Sequence, residues 1–308
     1  MSAMPFRARE GDLKHTAKMV SYPCGIVDLI ASSSPDFGSS GWEAAEDYSR
    51  PKKAHTVTAC CDDDGPGERR PGASAEDLER SMRRAKAKLR RLALANDFKY
   101  FVTLTLDPSK VDSHDGAAVV KKLNAWASNA VQRHGLRYIL VPERHKNGGI
   151  HFHGFFNDAF EAVDSGTIRV PWAKKPRKPR SEAERVSWLQ AGGRIVYNLP
   201  GWSLGFTTAM DLYGDYAAAV AYVCKYIGKD GTKPAGRWYY SGGDLKEPTV
   251  TYAELSPAEL REQYGERCWI GYFPGRAIAV VNGIRTDVCT RSSTNDNNNV
   301  LDQVQAED

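Results

Sequence analysis

The stretch LRYILVPERHKNGGIHFHGFFN, residues 136–157, decides the fold. Two β-rich segments, Leu136–Pro142 and Ile150–Asn157, flank the tripeptide Asn147-Gly148-Gly149. Asn-Gly pairs are typical of tight hairpin turns, because both residue types adopt positive φ at low cost. The stretch therefore predicts two antiparallel strands that are neighbours in one sheet.

Helical and strand-like segments surround this hairpin in an informative order. Ser74 is a candidate N-cap for a helix that continues to about Ala95. The other predicted elements are a strand at Tyr100–Leu106, a helix over residues 115–134, a strand at Gly205–Leu212, a helix at Tyr216–Lys229 and a short strand at Arg237–Ser241. Hairpin-joined strands with helices beside them predict the α+β class, with a central antiparallel β-sheet flanked by helices.

Composition changes on either side of this patterned core. Residues 1–73 are rich in Gly, Pro, Ser and charge, and we expect this N-terminal region to be flexible or poorly packed. Residues 74–250 form the predicted domain, which includes a basic, proline-broken insertion at about 158–200. We expect residues 251–285 to be a C-terminal extension and residues 286–308 to be a disordered tail.

The distribution of charge is more informative than the net charge, which is only +4. Seven of the twelve residues from Arg80 to Arg91 are Lys or Arg, as are six of the twelve from Arg169 to Arg180. Such clusters bind phosphate backbones, or they are the solvated surface of a helix and of a loop. The candidate DNA-binding residues in these clusters are Arg83, Arg84, Lys174, Lys175 and Arg177.

Several classes of protein are disfavoured. No stretch of about eighteen apolar residues is present, so no transmembrane helix is predicted. The six cysteines show no CxxC spacing, which predicts a reducing, cytoplasmic location and no zinc site. No GxxxxGK[ST] motif is present, so no nucleotide-driven motor is predicted.

A candidate metal site lies on the second strand of the hairpin. His151 and His153 face the same side of this strand, because side chains alternate along it. Glu143 lies at the end of the first strand, across the turn from the histidine pair, and His145 is an alternative third ligand. Two imidazoles and a carboxylate suit Mg²⁺ or Mn²⁺ acting on a phosphate. A histidine pair alone is equally compatible with two polar residues on an exposed face.

A candidate nucleophile lies on the last predicted helix. Positions i, i+3, i+4 and i+7 share one helix face, and here they are Tyr222, Lys225, Tyr226 and Lys229. A free tyrosine has a pKa of about 10 and is a weak nucleophile at neutral pH. Nearby lysines favour the phenolate and offset charge on an attacked phosphate. The same pattern also fits an amphipathic helix whose tyrosines are half buried at an interface.

Three segments together resemble the three motifs of the HUH endonucleases, in their usual order. They read YFVTLTLD at 100–107, PERHKNGGIHFHG at 142–154 and AYVCKYIGKD at 221–230. The chain is thus similar to rolling-circle replication initiators of the phage or plasmid type that carry two tyrosines. The resemblance covers roughly residues 75–250 and implies a fold similar to an RNA-recognition domain.

The resemblance also implies an activity and roles for the matching residues. The activity is a nick in single-stranded or hairpin origin DNA, which leaves a 5′-phosphotyrosyl protein and a free 3′-OH. A host helicase and a host polymerase are the implied protein partners, and Lys229 is a further candidate for DNA contact. The implied roles are metal binding by His151, His153 and Glu143, first attack by Tyr222, second attack by Tyr226 and phosphate orientation by Lys225.

Three other functions use part of the same pattern. An HUH transposase or relaxase would use the same residues on different DNA. A non-catalytic protein of the RNA-recognition type would stack bases on Tyr100 and Phe152, but it leaves the histidine pair and the tyrosine–lysine stripe unexplained. A metal hydrolase on a (β/α)₈ barrel needs more βα units than the patterned core provides.

Overall fold

The computed structural model describes residues 17–33, 74–212, 216–229, 231–273 and 276–285. The chain divides into two compact units. The central unit comprises Thr56–Lys246 and Arg291–Asp308, and the terminal unit comprises Met1–His55 and Glu247–Thr290. Each unit contains an antiparallel sheet with packed helices, so the predicted α+β class is confirmed, with two sheets instead of one.

The described residues form twelve strands and five α-helices. The strands are β1 (Ala17–Ser21), β2 (Ile26–Ser32), β3 (Tyr100–Leu106), β4 (Tyr138–Arg144), β5 (Ile150–Phe156), β6 (Val163–Arg169), β7 (Arg194–Asn198), β8 (Gly205–Asp211), β9 (Tyr240–Gly242), β10 (Thr249–Ala253), β11 (Trp269–Phe273) and β12 (Arg276–Arg285). The helices are α1 (Ala75–Ala95), α2 (Gly116–His134), α3 (Glu182–Gln190), α4 (Tyr216–Tyr226) and α5 (Pro257–Tyr264). No helix in this described part of the chain is long and apolar enough to span a membrane.

The predicted hairpin is β4 and β5, near the middle of a seven-stranded sheet with the order β6-β7-β8-β3-β5-β4-β9. Its turn is closed by the amide of His145, which donates to the carbonyl oxygen of Gly149 at 2.8 Å. Gly148 has φ +85°, a conformation that favours glycine. Strand β5 pairs with β3 on its other side, which brings the first and second HUH-like motifs together.

Helix α2 covers one face of this sheet. Asp115 caps its N-terminus by accepting from the amides of Ala117 and Ala118, and Gly135 ends it with φ +64°. The buried residues of the helix form one core with the sheet residues that face it, among them Val119, Leu123, Trp126, Ala127, Leu104, Phe152 and Phe156. Because side chains alternate along β5, the face that carries His151 and His153 is left for other contacts.

Helices α1 and α4 pack together on the histidine side of the sheet. The hydroxyl of Tyr216, the first residue of α4, donates to the carbonyl oxygens of Ala93 and Asn96 at 2.7 and 3.1 Å. The predicted N-cap is present at the other end of α1, where Ser74 accepts from the amide of Asp77. These contacts fix the start of α4, and therefore the direction in which its tyrosines project.

The basic insertion is folded and extends the sheet. Strands β6 and β7 pair with each other, and β7 pairs with β8 through Tyr197 and Ala209. Helix α3 packs on β6 in a small core that includes Ile168, Val170 and Trp188. The proline-broken basic run was readable only as a loop, because its pairing partners lie outside it.

The terminal unit corrects the expectation for the N-terminal region. Residues 17–33, predicted to be flexible, form β1 and β2 in a five-stranded sheet with the order β10-β1-β2-β12-β11. Residues 251–285, predicted as a mere extension, provide α5, β11 and β12 for the same unit, and β10 begins just before them. The strands at the two ends of the sequence stabilise each other, and a local pattern does not reveal such pairing. The rest of the flexible region and the predicted tail, residues 34–73 and 286–308, lie outside the described residues.

Candidate metal and tyrosine site

The register of the hairpin brings the three candidate metal ligands together. Glu143 of β4 lies directly opposite His151 of β5. His153 is two residues further along β5, so its side chain projects from the same face. Among the described residues, these three form the one cluster of His, Cys, Asp or Glu suited to holding a metal ion.

The ligand atoms of this cluster converge on one point. Nε2 of His151 and Nε2 of His153 lie 2.9 and 2.8 Å from Oε2 of Glu143, and the two nitrogens are 3.1 Å apart. Adjacent ligand atoms around an octahedral cation with bonds of about 2.1 Å are about 3.0 Å apart. The three side chains therefore fit a divalent cation, and they leave coordination positions for the oxygens of a substrate.

Glu143 is ionised in this setting, which a metal ligand requires. Burial raises the pKa of its carboxyl group. The hydrogen bonds from His151, His153 and Lys229 outweigh burial, and the pKa lies well below its usual range. The ammonium of Lys229 is 3.2 Å from Oε1, the carboxylate oxygen that faces away from the histidines.

Thr103 orients one of the histidines. Its Oγ1 lies 3.2 Å from Nδ1 of His153, across the β3–β5 pair in which these two residues are directly opposite. When Nε2 binds a cation, Nδ1 carries the proton and donates to this hydroxyl. The sequence predicted Thr103 only as a strand residue, since the contact depends on which strand lies beside β5.

Both candidate tyrosines lie against the histidine pair. The ring of Tyr226 stacks on that of His153, with centroids 4.0 Å apart and planes at 12°. The ring of Tyr222 is perpendicular to that of Tyr226, with centroids 5.1 Å apart, and the two hydroxyls are hydrogen bonded to each other. Phe101 supports this arrangement from β3, at 5.9 Å from the ring of Tyr222.

The opposite side of α4 is buried, as the helical spacing predicted. Val220, Val223 and Ile227 are at most 1% exposed. Cys224 faces α1, where its thiol contacts the carbonyl oxygen of Lys86, and burial raises its pKa to about 11. A thiol with this pKa is protonated at neutral pH, so Cys224 is no competitor for the tyrosines as a nucleophile.

The remaining predicted site residues are not gathered at the cluster in the same way. Lys225 and His145 are exposed, and the ring of His145 is 5.6 Å from that of His151. Lys229, expected to contact DNA, is instead paired with Glu143, just beyond the end of α4. The five arginines and lysines expected to bind DNA are exposed on α1 and on the insertion: Arg83, Arg84, Lys174, Lys175 and Arg177.

A comparison with protein-family models matches residues 99–231 to a family of replication-associated proteins, the ORF2 type. The match covers less than half of the 308 residues, but it includes Glu143, both histidines and both tyrosines. No curated protein and no solved structure matches the chain. The family is consistent with a rolling-circle replication initiator, as the resemblance of the three motifs implied. The segment of residues 99–231 is therefore a domain of the ORF2-type family of replication-associated proteins.

Proposed function

We propose that the protein initiates rolling-circle replication by nicking one strand of an origin. The observation that carries the proposal is the contact of Tyr226 and Tyr222 with the cluster of Glu143, His151 and His153. Two phenols beside a three-ligand cation site combine a nucleophile with a means of polarising a phosphate. A purely structural helix has no need of this combination.

The cluster of Glu143, His151 and His153 is suited to hold Mg²⁺ or Mn²⁺, because its ligands are a carboxylate oxygen and two imidazole nitrogens. A cation bound there supplies positive charge to the non-bridging oxygens of the scissile phosphate. Thr103 keeps the His153 ring in its orientation through Nδ1. The exposed ammonium of Lys225, one turn from Tyr222, adds charge on the outer side of α4.

The proposed chemical step is a transesterification. The hydroxyl oxygen of Tyr222 attacks phosphorus in line and forms a new P–O bond, while the bond from phosphorus to the 3′ oxygen breaks. The electron pair of that bond stays on the 3′ oxygen, which takes up a proton from solvent. The hydrogen bond between Tyr222 and Tyr226 gives the attacking phenol a neighbour that can exchange its proton. The products are a 5′-phosphotyrosyl protein and a free 3′-OH.

The products suggest how a replication cycle would proceed. One phosphoester replaces another, so the step is reversible and the covalent bond can be used to rejoin strands. Tyr226 is the candidate for the second attack, which closes the circle. A host polymerase would extend the 3′-OH and a host helicase would open the duplex. The exposed basic residues of α1 and of the insertion would hold the single-stranded or hairpin origin.

The test is formation of a covalent adduct. A labelled origin oligonucleotide is incubated with the full chain and Mg²⁺ or Mn²⁺, and the products are separated on a denaturing gel. We expect an adduct with the wild-type chain, none with Tyr222→Phe, and a normal amount with Tyr252→Phe, a matched change in the terminal unit. A full amount of adduct with Tyr222→Phe and none with Tyr226→Phe would reverse the two roles. No adduct under either metal would overturn the proposal.

A further inference from the structure

The sheet face that carries the metal ligands continues beyond them across two more strands. Strand pairing places Glu143 opposite His151, His151 opposite Thr105, and Thr105 opposite Phe206 of β8. Residues directly opposite one another in a sheet project from the same face. Phe206 is therefore on the face of the metal ligands, in the same row as Glu143 and His151.

Phe206 is exposed to an unusual degree for its position. Its side chain is 66% exposed, although β8 lies between β7 and β3 and is not an edge strand. Ala209, which projects from the opposite face of β8, is fully buried in the core beneath α2, so the exposure follows from the face and not from a poorly packed strand. A phenyl ring exposed here contributes nothing to the core.

The surroundings of Phe206 are polar, as a strand of nucleic acid would require. Thr105, its neighbour towards the metal ligands, is exposed, and Thr208 on the same face is partly exposed. The ammonium of Lys110 is 3.0 Å from the carbonyl oxygen of Ser203, in the loop that leads into β8. Hydroxyl groups and a nearby cation suit a phosphate backbone better than an apolar protein surface.

The spacing from the metal ligands fits a nucleotide next to the scissile phosphate. Neighbouring strands are about 4.8 Å apart, so Phe206 is displaced from His151 by about 10 Å along the row. Successive nucleotides of one strand are separated by at least about 3.4 Å. A DNA strand that crosses the sheet face would therefore bring a base over Phe206 about one to three nucleotides from the cut.

We propose that Phe206 stacks on an unpaired base of the substrate strand, so that the strand leaves the metal cluster across β3 and β8. The ligand class is single-stranded DNA, recognised here through the face of a base and without a fixed sequence. The inference rests on the proposed function for the identity of the ligand and deepens it by assigning a path to the substrate.

The experiment measures binding in the absence of divalent metal, so that no chemistry occurs. Fluorescence anisotropy follows the full chain binding to a fluorescein-labelled oligothymidine tract and to a tract of equal length made of abasic nucleotides. Stacking of one base on an aromatic ring corresponds to a change of about fivefold to about a hundredfold in affinity. We expect Phe206→Ala to weaken oligothymidine binding within this range and to leave abasic-tract binding unchanged.

Two further variants serve as controls. Phe206→Trp keeps an aromatic platform and should bind oligothymidine at least as tightly as the wild type. Trp269→Ala removes an aromatic side chain that is 57% exposed in the terminal unit, and it should have no effect. Urea unfolding of each variant establishes that the substitutions do not alter stability, as expected for exposed positions.

The outcomes separate this inference from the proposed function. Unchanged oligothymidine binding by Phe206→Ala, or an equal loss with both tracts, would overturn the role of Phe206 even if the covalent adduct forms. Failure of the wild-type chain to bind oligothymidine would also overturn it. A selective loss with Phe206→Ala in a chain that forms no adduct would support the stacking role and count against nicking alone.

Discussion

Replacing Glu143 by glutamine removes the one charged ligand of the metal cluster while it keeps the shape of the side chain. Its Oε2 is within 2.9 Å of both histidine Nε2 atoms, and the residue is only 7% exposed, so water cannot easily take its place. Loss of groups that merely orient metal ligands weakens affinity about 10-fold to 100-fold. For a direct ligand we expect a loss of at least about 100-fold.

The consequence for stability follows from linkage. At a metal concentration of about 100 times Kd, binding stabilises the wild-type chain by about 2.7 kcal/mol, and after a 100-fold loss of affinity the same concentration gives about 0.4 kcal/mol. For a unit of this size, the difference corresponds to a rise in Tm of about 5 to 11 °C in the wild type and about 1 °C in Glu143→Gln.

Thermal unfolding with and without Mn²⁺, followed by circular dichroism, measures both values. Glu161→Gln is the matched control, because Glu161 is an exposed glutamate of the same unit and should keep the full metal-dependent rise. A rise in Glu143→Gln equal to that of the wild type would refute the assignment of this carboxylate as a metal ligand. A wild-type chain with no rise would refute the metal site itself.

Three further predictions concern the sheet that carries the site. Thr103→Val removes the hydroxyl beside Nδ1 of His153 and should weaken Mn²⁺ binding about 10-fold in calorimetry; an unchanged affinity would exclude the orienting role. Gly154→Ala would bring a Cβ within 1.9 Å of the carbonyl oxygen of Ile139, so urea unfolding should show a loss of about 3 kcal/mol or more, and a neutral effect would contradict the close packing of β4 and β5. Burial raises the pKa of Tyr138 to about 12, so the unfolded chain releases this proton first and the free energy of unfolding should fall by up to about 2.7 kcal/mol between about pH 10 and pH 12; Tyr138→Phe should remove this part of the pH dependence.

Much of the central unit was predictable because its patterns are local. The helix over residues 115–134 has apolar residues at helical spacing and a glycine at its end, and the strand at Tyr100–Leu106 alternates and stops at a proline. The strands of residues 17–33 lacked such support. Their partners are β10 and β12, more than 200 residues away along the chain, and no turn signal connects them.

The candidate site divides along the same line. Hairpin register follows from the turn, so Glu143 could be placed opposite His151 from the sequence. The contact of Thr103 with His153 could not, since it requires knowledge that β3 lies beside β5. Lys229 was expected to contact DNA because it continues the helical stripe of Tyr222. In the structure α4 ends at Tyr226, and the turn that follows directs Lys229 towards Glu143.

The most direct test of nicking by tyrosine is to identify the residue that becomes linked to DNA. After reaction with an origin oligonucleotide and Mn²⁺, nuclease and protease digestion leaves a short nucleotide tag on one peptide, which tandem mass spectrometry assigns. The proposed mechanism predicts the tag on Tyr222 after a single cleavage, and its loss in Glu143→Gln. A tag on a residue outside the Tyr222–Tyr226 pair, or no tag on a chain that still gains stability from Mn²⁺, would contradict it.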